Sequence, residues 1–140
     1  MRNPLYKAIS TETREWVRGL PVYRYQTEEI DALETPTDML SIDRETLCEF
    51  VGKKDKNSKE IFEGDKIQFI HRIGNQTIKE IVTVYFSEAS ASFVLGVEGC
   101  LLPFGMYDVS KGEVIGNIYD VKLSILHRMH EEEIQNATHF

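Results

Sequence analysis

No stretch of this 140-residue chain approaches the roughly 18 consecutive apolar residues that a membrane-spanning helix needs, so no membrane partner is expected. Cysteine is almost absent. The two present, Cys48 and Cys100, stand far apart and in no metal-ligating spacing, which excludes a disulfide framework or a zinc ribbon. Both are expected as buried, reduced thiols. A glycine-rich phosphate loop, a CxxC pair and a helix-turn-helix signature are all missing. Positive charge is also short: 16 Lys and Arg face 23 Asp and Glu, for a net charge of −7. Such a chain repels polyphosphate as a whole, because non-specific nucleic-acid binding rests on Lys and Arg displacing counterions. Met1-Arg2-Asn3-Pro4 leads into polar residues rather than an apolar run, so no signal peptide is expected and the cytoplasm is the expected compartment.

What the chain does contain is β-forming sequence cut by turn residues. Tyr6 to Ile9, Trp16-Val17 and Val22 to Tyr25 are β-branched and aromatic runs interrupted by Gly19 and Pro21. The acidic stretch Thr27 to Asp38 reads as a solvated loop or a turn or two of helix over Glu28 to Leu33. Met39 to Ile42 and Thr46 to Val51 read as strands around a turn at Asp43-Arg44. Ile67 and Phe69 alternate with Lys66 and Gln68, Arg72 to Gln76 marks a hairpin, and Thr77 to Phe86 forms the longest strand. Phe93 to Val97 returns, a looser segment runs to Asp108, and Gly112 to Tyr119 closes. The tail carries Val121, Ile125, Leu126 and Met129 on one helical face and predicts a helix over about 122–135, with extension of the closing strand as the alternative.

The densest turn chemistry lies at Glu49 to Ile67. Asp55-Lys56-Asn57-Ser58 is a polar run suited to a tight turn, and Gly64-Asp65 is a second turn where glycine supplies a backbone angle that a side chain disfavours. Asp65 is expected to tie that turn down through backbone N–H groups. The run Phe50 to Ile67 resembles the signature of the YopX family of phage and prophage proteins, roughly E-F/Y-x-G-L-K-D-K-N-G-K-E-I-Y-E-G-D-I. Tyr6 to Ile9 with Thr13 to Val17 is similar to the family's opening hairpin, and Glu113 to Tyr119 to its closing strand. Lys53 stands for Leu, Ser58 for Gly and Phe62 for Tyr, which leaves Asn57 to take the left-handed position of the first turn. The resemblance implies a phage or prophage accessory protein in the cytoplasm of a bacterial host and brings no reaction with it. Gly52, Asp55, Asn57, Gly64 and Asp65 form its structural motif.

Candidate chemistry is thin. His127 and His130 are three apart with Glu131 outside them, whereas a catalytic zinc helix spaces its histidines by four with the glutamate between. Glu60, Glu63 and Asp65 become acid–base groups only inside a cleft that shifts their pKa. No catalytic, metal or cofactor site is assigned. The expected fold is mainly β: a small antiparallel SH3-like barrel preceded by an N-terminal β-hairpin region, with a C-terminal helix, divided at residues 1–50, 51–120 and 121–140. The expected function is non-catalytic protein binding, homo-oligomers included, with Leu123, Ile125, Leu126 and Met129 as the self-association candidates and docking of the helix on its own barrel as the equal alternative. A nucleic-acid module built on Lys53, Lys54, Lys56 and Lys59 is the reading from a different class.

Overall fold

A computed structural model describes residues 4–137. The chain divides into two compact units, one ending at Leu47 and resumed from Tyr119, the other spanning Cys48–Ile118. The tail belongs to the first unit.

The first unit begins with an antiparallel meander of β1 (Tyr6–Ile9), β2 (Trp16–Tyr23), β3 (Ile30–Glu34) and β4 (Met39–Ser41), in the spatial order β4-β3-β2-β1. Ala8, Ile30, Leu33 and Ile42 form its buried centre, with Tyr6, Val17 and Leu47 packed around them. Gly19 and Pro21 do not interrupt β2 as expected. Gly19 is buried in the strand because a Cβ there would lie 2.3 Å from the carbonyl oxygen of Glu34. The centre of the acidic stretch, Ile30–Glu34, is a strand and not a turn of helix, while 27–29 and 35–38 on either side are the loop expected. Its Ile30 and Leu33 are three apart, a spacing that imitates a helix. They share the buried side because Val22 pairs with Ala32 while Tyr23 pairs with Ile30, so Asp31 is an extra, bulged residue in β3. After β4, Asp43 accepts from the Glu45 amide and starts a short 3-10 turn, Arg44–Thr46. The buried Thr46 hydroxyl accepts from the Ile9 amide at 2.9 Å.

The tail is a helix, α1 (Asp120–Ala137). It is fastened to its own unit by polar contacts: the Trp16 indole N–H donates to Asp120, Lys122 reaches Asp43 and Glu45, and His127 Nε2 lies 2.9 Å from the Arg14 carbonyl oxygen.

The second unit holds a hairpin of β5 (Cys48–Lys54) and β6 (Glu60–Phe62), and an antiparallel sheet of β7 (Asp65–Ile73), β8 (Gln76–Ser87), β9 (Ser92–Val97), β10 (Cys100–Pro103) and β11 (Glu113–Asn117). The sheet order is β10-β9-β8-β7-β11. Its core is Ile61, Ile67, Phe69, Val82, Val84, Leu95, Val109 and Val114. The mainly β architecture with a C-terminal helix is as the sequence implies; the strands form two antiparallel sheets, and the SH3-like barrel is not confirmed, since no sheet closes. β10 is four residues long and ends at Pro103, which lacks the N–H needed to extend a ladder, and β11 is broken by a bulge at Ile115. Cys48 is buried, whereas Cys100 is exposed at the start of edge strand β10, contrary to the pair of buried thiols expected.

Candidate functional site

The Asp55 to Lys59 segment is the turn of the β5–β6 hairpin. Asp55 N–H donates to the Lys59 carbonyl, and Ser58 N–H donates to the Asp55 carbonyl. The left-handed residue is Ser58, with φ +63°, and not Asn57. A type I turn followed by one left-handed residue is the usual three-residue hairpin loop, and its last position favours glycine. This explains why glycine suits that place in the resembling signature. Upstream, Gly52 has φ +85° where the pairing slips between Phe50 and Lys54.

Asp55 is buried, and its carboxylate serves two strands. Oδ1 accepts from the Asn57 and Lys59 amides at 2.8 and 2.9 Å, while Oδ2 accepts from the Val114 amide of β11 at 2.9 Å. Burial alone raises the carboxyl pKa, but the three amide donors outweigh it and hold Asp55 below its ordinary 3.8. The charge is stabilised in place.

Gly64 and Asp65 form a second node. Gly64 has φ +84°, donates to the Val84 carbonyl at 2.7 Å and accepts from the Ile118 amide at 3.0 Å. The fully buried Asp65 accepts from the Phe62 amide at 2.8 Å and from Asn117 Nδ2 at 2.9 Å. Asn117 Nδ2 also donates to the Glu63 carbonyl at 3.2 Å. Both aspartates are thus spent on backbone and amide donors.

A comparison with protein families matches the profile described as YopX protein over residues 5–122. The chain belongs to the YopX family. A crystal structure of protein EF1440 from Enterococcus faecalis is similar in fold, with a TM-score of 0.51 and 19% identity over 82% of this chain and 92% of that one. No match was found among curated proteins.

The other candidate residues of this YopX-family chain do not converge. Lys53, Lys54, Lys56 and Lys59 are exposed around the first turn, but Lys56 pairs with Glu113 at 3.7 Å and the Asp108 and Asp55 carboxylates lie within electrostatic reach of Lys53 and Lys59. Glu63 is half-buried, and its pKa is raised by burial and by Glu49 beside it. Among the described residues, no group of three or more His, Cys, Asp or Glu is placed to hold a metal ion. His127 contacts Glu15 at 3.0 Å, and His130 lies 3.9 Å from Glu133.

The four helix candidates separate as well. Leu123 and Leu126 are half-buried, while Ile125 and Met129 remain exposed. Leu126 and Met129 line a cavity of about 230 Å³ with Ile9, Ser10, Arg14 and Asp43. Two features escaped the sequence. Glu80 bonds Tyr107 through one carboxylate oxygen and lies 3.2 Å from His71 Nε2 through the other, with the Glu80 bond first among the causes that raise the Tyr107 pKa. The register His71↔Ile78 brings His71 and Glu80 to one face, but Tyr107 comes from a distant turn with no sequence signal. Beyond that network the β7–β8 ribbon leaves residues 70–79 exposed on both faces, with Ile70, Ile73 and Ile78 among them.

Two substitutions test the nodes. Gly64→Val places a Cβ 3.1 Å from both Asn117 Nδ2 and Ile118 Cγ1 at a positive φ, and is expected to lower stability by about 1–3 kcal/mol, read as a fall in Tm. Asp55→Asn turns an amide NH₂ toward a backbone donor and is expected to cost about 1–3 kcal/mol at neutral pH. Because the folded carboxyl titrates below 3.8, its contribution is complete above that value and is lost as pH falls through the folded pKa. The Tm gap between wild type and Asp55→Asn should therefore narrow in acid.

Proposed function

We propose that this YopX-family chain is a non-catalytic protein-binding accessory module, of phage or prophage origin and acting in the cytoplasm of a bacterial host. The observation that carries the reading is the β7–β8 ribbon, whose Ile73 and Ile78 are exposed at 65% and 45% on the same face as His71. Exposed isoleucines clustered on a projecting ribbon cost solubility unless a partner covers them. Of the candidate acid–base carboxylates Glu60, Glu63 and Asp65, Asp65 is held in its turn by the Phe62 amide and Asn117, and Glu63 has the like charge of Glu49 beside it.

The nucleic-acid reading is favoured only by the concentration of Lys53, Lys54, Lys56 and Lys59 at one hairpin tip. The pairing of Lys56 with Glu113 and the neighbouring Asp108 weaken that tip as a phosphate grip.

Affinity capture from lysogenic cells, with and without nuclease, tests the reading. The wild type should retain a nuclease-resistant protein that Ile73→Asp/Ile78→Asp, with an unchanged circular-dichroism melt, does not retain. Recovery of nuclease-sensitive nucleic acid alone, or capture indifferent to the double substitution, contradicts it.

A further inference from the structure

The opposite face of the same ribbon has a different character. Side chains alternate along a strand, so with Ile67 and Phe69 buried, Lys66, Ile70 and Arg72 point outward from β7. The register places Ile70 opposite Lys79 and Gln68 opposite Ile81, which puts Lys79 and Ile81 of β8 on that face, and Tyr85 follows four residues further on. Ile70, Ile81 and Tyr85 are exposed at 49%, 48% and 41%. The acidic residues of these two strands, Asp65 and Glu80, lie on the other side. In a chain of net charge −7, this face has three cations and no carboxylate from β7 or β8; of the flanking segments, Glu113 of β11 stands opposite Gln68 and is engaged by Lys56, and Glu98 lines a shallow cleft with Ile81 and Tyr85. Among the described residues, no ion pair engages Lys66, Arg72 or Lys79.

The chain also carries a complementary surface. From Arg128 onward every described residue of α1 is exposed, including Met129 at 52% and Ile134 at 51%. Between those two apolar side chains stand Glu131, Glu132 and Glu133, and the last turn has no basic residue. Acidic charge toward a helix C-terminus opposes the macrodipole, so this half of α1 is less stable alone than against a cationic surface.

We infer that the C-terminal half of α1 in one copy docks on the Lys66–Arg72–Lys79 face of a second copy. Met129 and Ile134 meet Ile70, Ile81 and Tyr85, while Glu131 and Glu132 meet the three cations; Glu133 stays with Arg14 of its own unit, 3.5 Å away. The contact joins unlike surfaces, so each copy offers one donor helix and one acceptor face, and association runs head to tail. This occupant rests on the protein-binding reading above but uses the other face of the ribbon.

Size exclusion with light scattering on the full chain tests it with two charge-reversed variants, R72E/K79E and E131K/E132K, each checked for a wild-type circular-dichroism melt. Wild type should exceed the monomer mass of 16.2 kDa at low salt and fall toward it at high salt. Each variant alone should run as a monomer. Their equimolar mixture should recover a mass at least twice the monomer's, because the intact helix of one meets the intact face of the other. If reversal on the strands disturbs folding, R72A/K79A with E131K/E132K makes the same comparison. A monomeric wild type, a variant that keeps the wild-type mass, or a mixture that stays monomeric overturns the inference. So does a monomeric wild type that binds a labelled oligonucleotide through Arg72 and Lys79, which gives the face to nucleic acid. A monomer that still captures a protein through Ile73 and Ile78 overturns this inference and leaves the protein-binding reading standing.

Discussion

The Asp55 carboxylate is the group on which the second unit depends. It closes its own hairpin through Asn57 and Lys59 and reaches a strand 59 residues later through Val114. A lysine in the same turn adds two further ties to that segment, since the Lys56 amide donates to the Gly112 carbonyl and its ammonium pairs with Glu113. Gly112 is held close for a packing reason: a Cβ there would lie 2.4 Å from Ile67 Cγ2. The Gly64–Asp65 node repeats the arrangement ten residues on, with Asn117 and Ile118 as partners. Two short turns thus set where the closing strand lies. Buried carboxylates are costly unless hydrogen-bonded, and here each has its donors from backbone or amide groups.

Much of this order was legible in the sequence because local rules and tertiary structure agree. The alternation about Ile67 and Phe69, the β-branched run of β8 and the polar Asp55–Ser58 turn all became what their patterns implied. Legibility failed where a long-range contact overrode a local rule. Ile30 and Leu33 have helical spacing, and only the pairing with β2 reveals the bulge that makes them strand neighbours. Gly19 looks like a strand breaker until the Glu34 carbonyl is seen against it. Ser58 takes the left-handed position that Asn57 is chemically suited to, because the hairpin fixes which residue must adopt it. Barrel closure could not be read from strand spacing, since it depends on whether edge strands meet.

The candidate site divides along the same line. In the motif that carries the family likeness, the Asp55 and Asp65 carboxylates are taken up by amide donors of and around the two turns. Exposed apolar side chains lie elsewhere: on the β7–β8 ribbon, and on a helix whose Leu123 and Leu126 are half-buried while Ile125, Met129 and Ile134 are exposed. Isoleucines on a ribbon look like ordinary strand residues in sequence. Only the structure shows that residues 70–79 outrun the core.

The most direct measurement is an acid titration followed by NMR on the Asp55 carboxyl carbon and the backbone amides of Asn57, Lys59 and Val114. If Asp55 joins its turn to the closing strand, all four signals should move together, with one midpoint below 3.8. A midpoint at or above 3.8, or a Val114 amide that stays still while Asp55 titrates, would contradict the account.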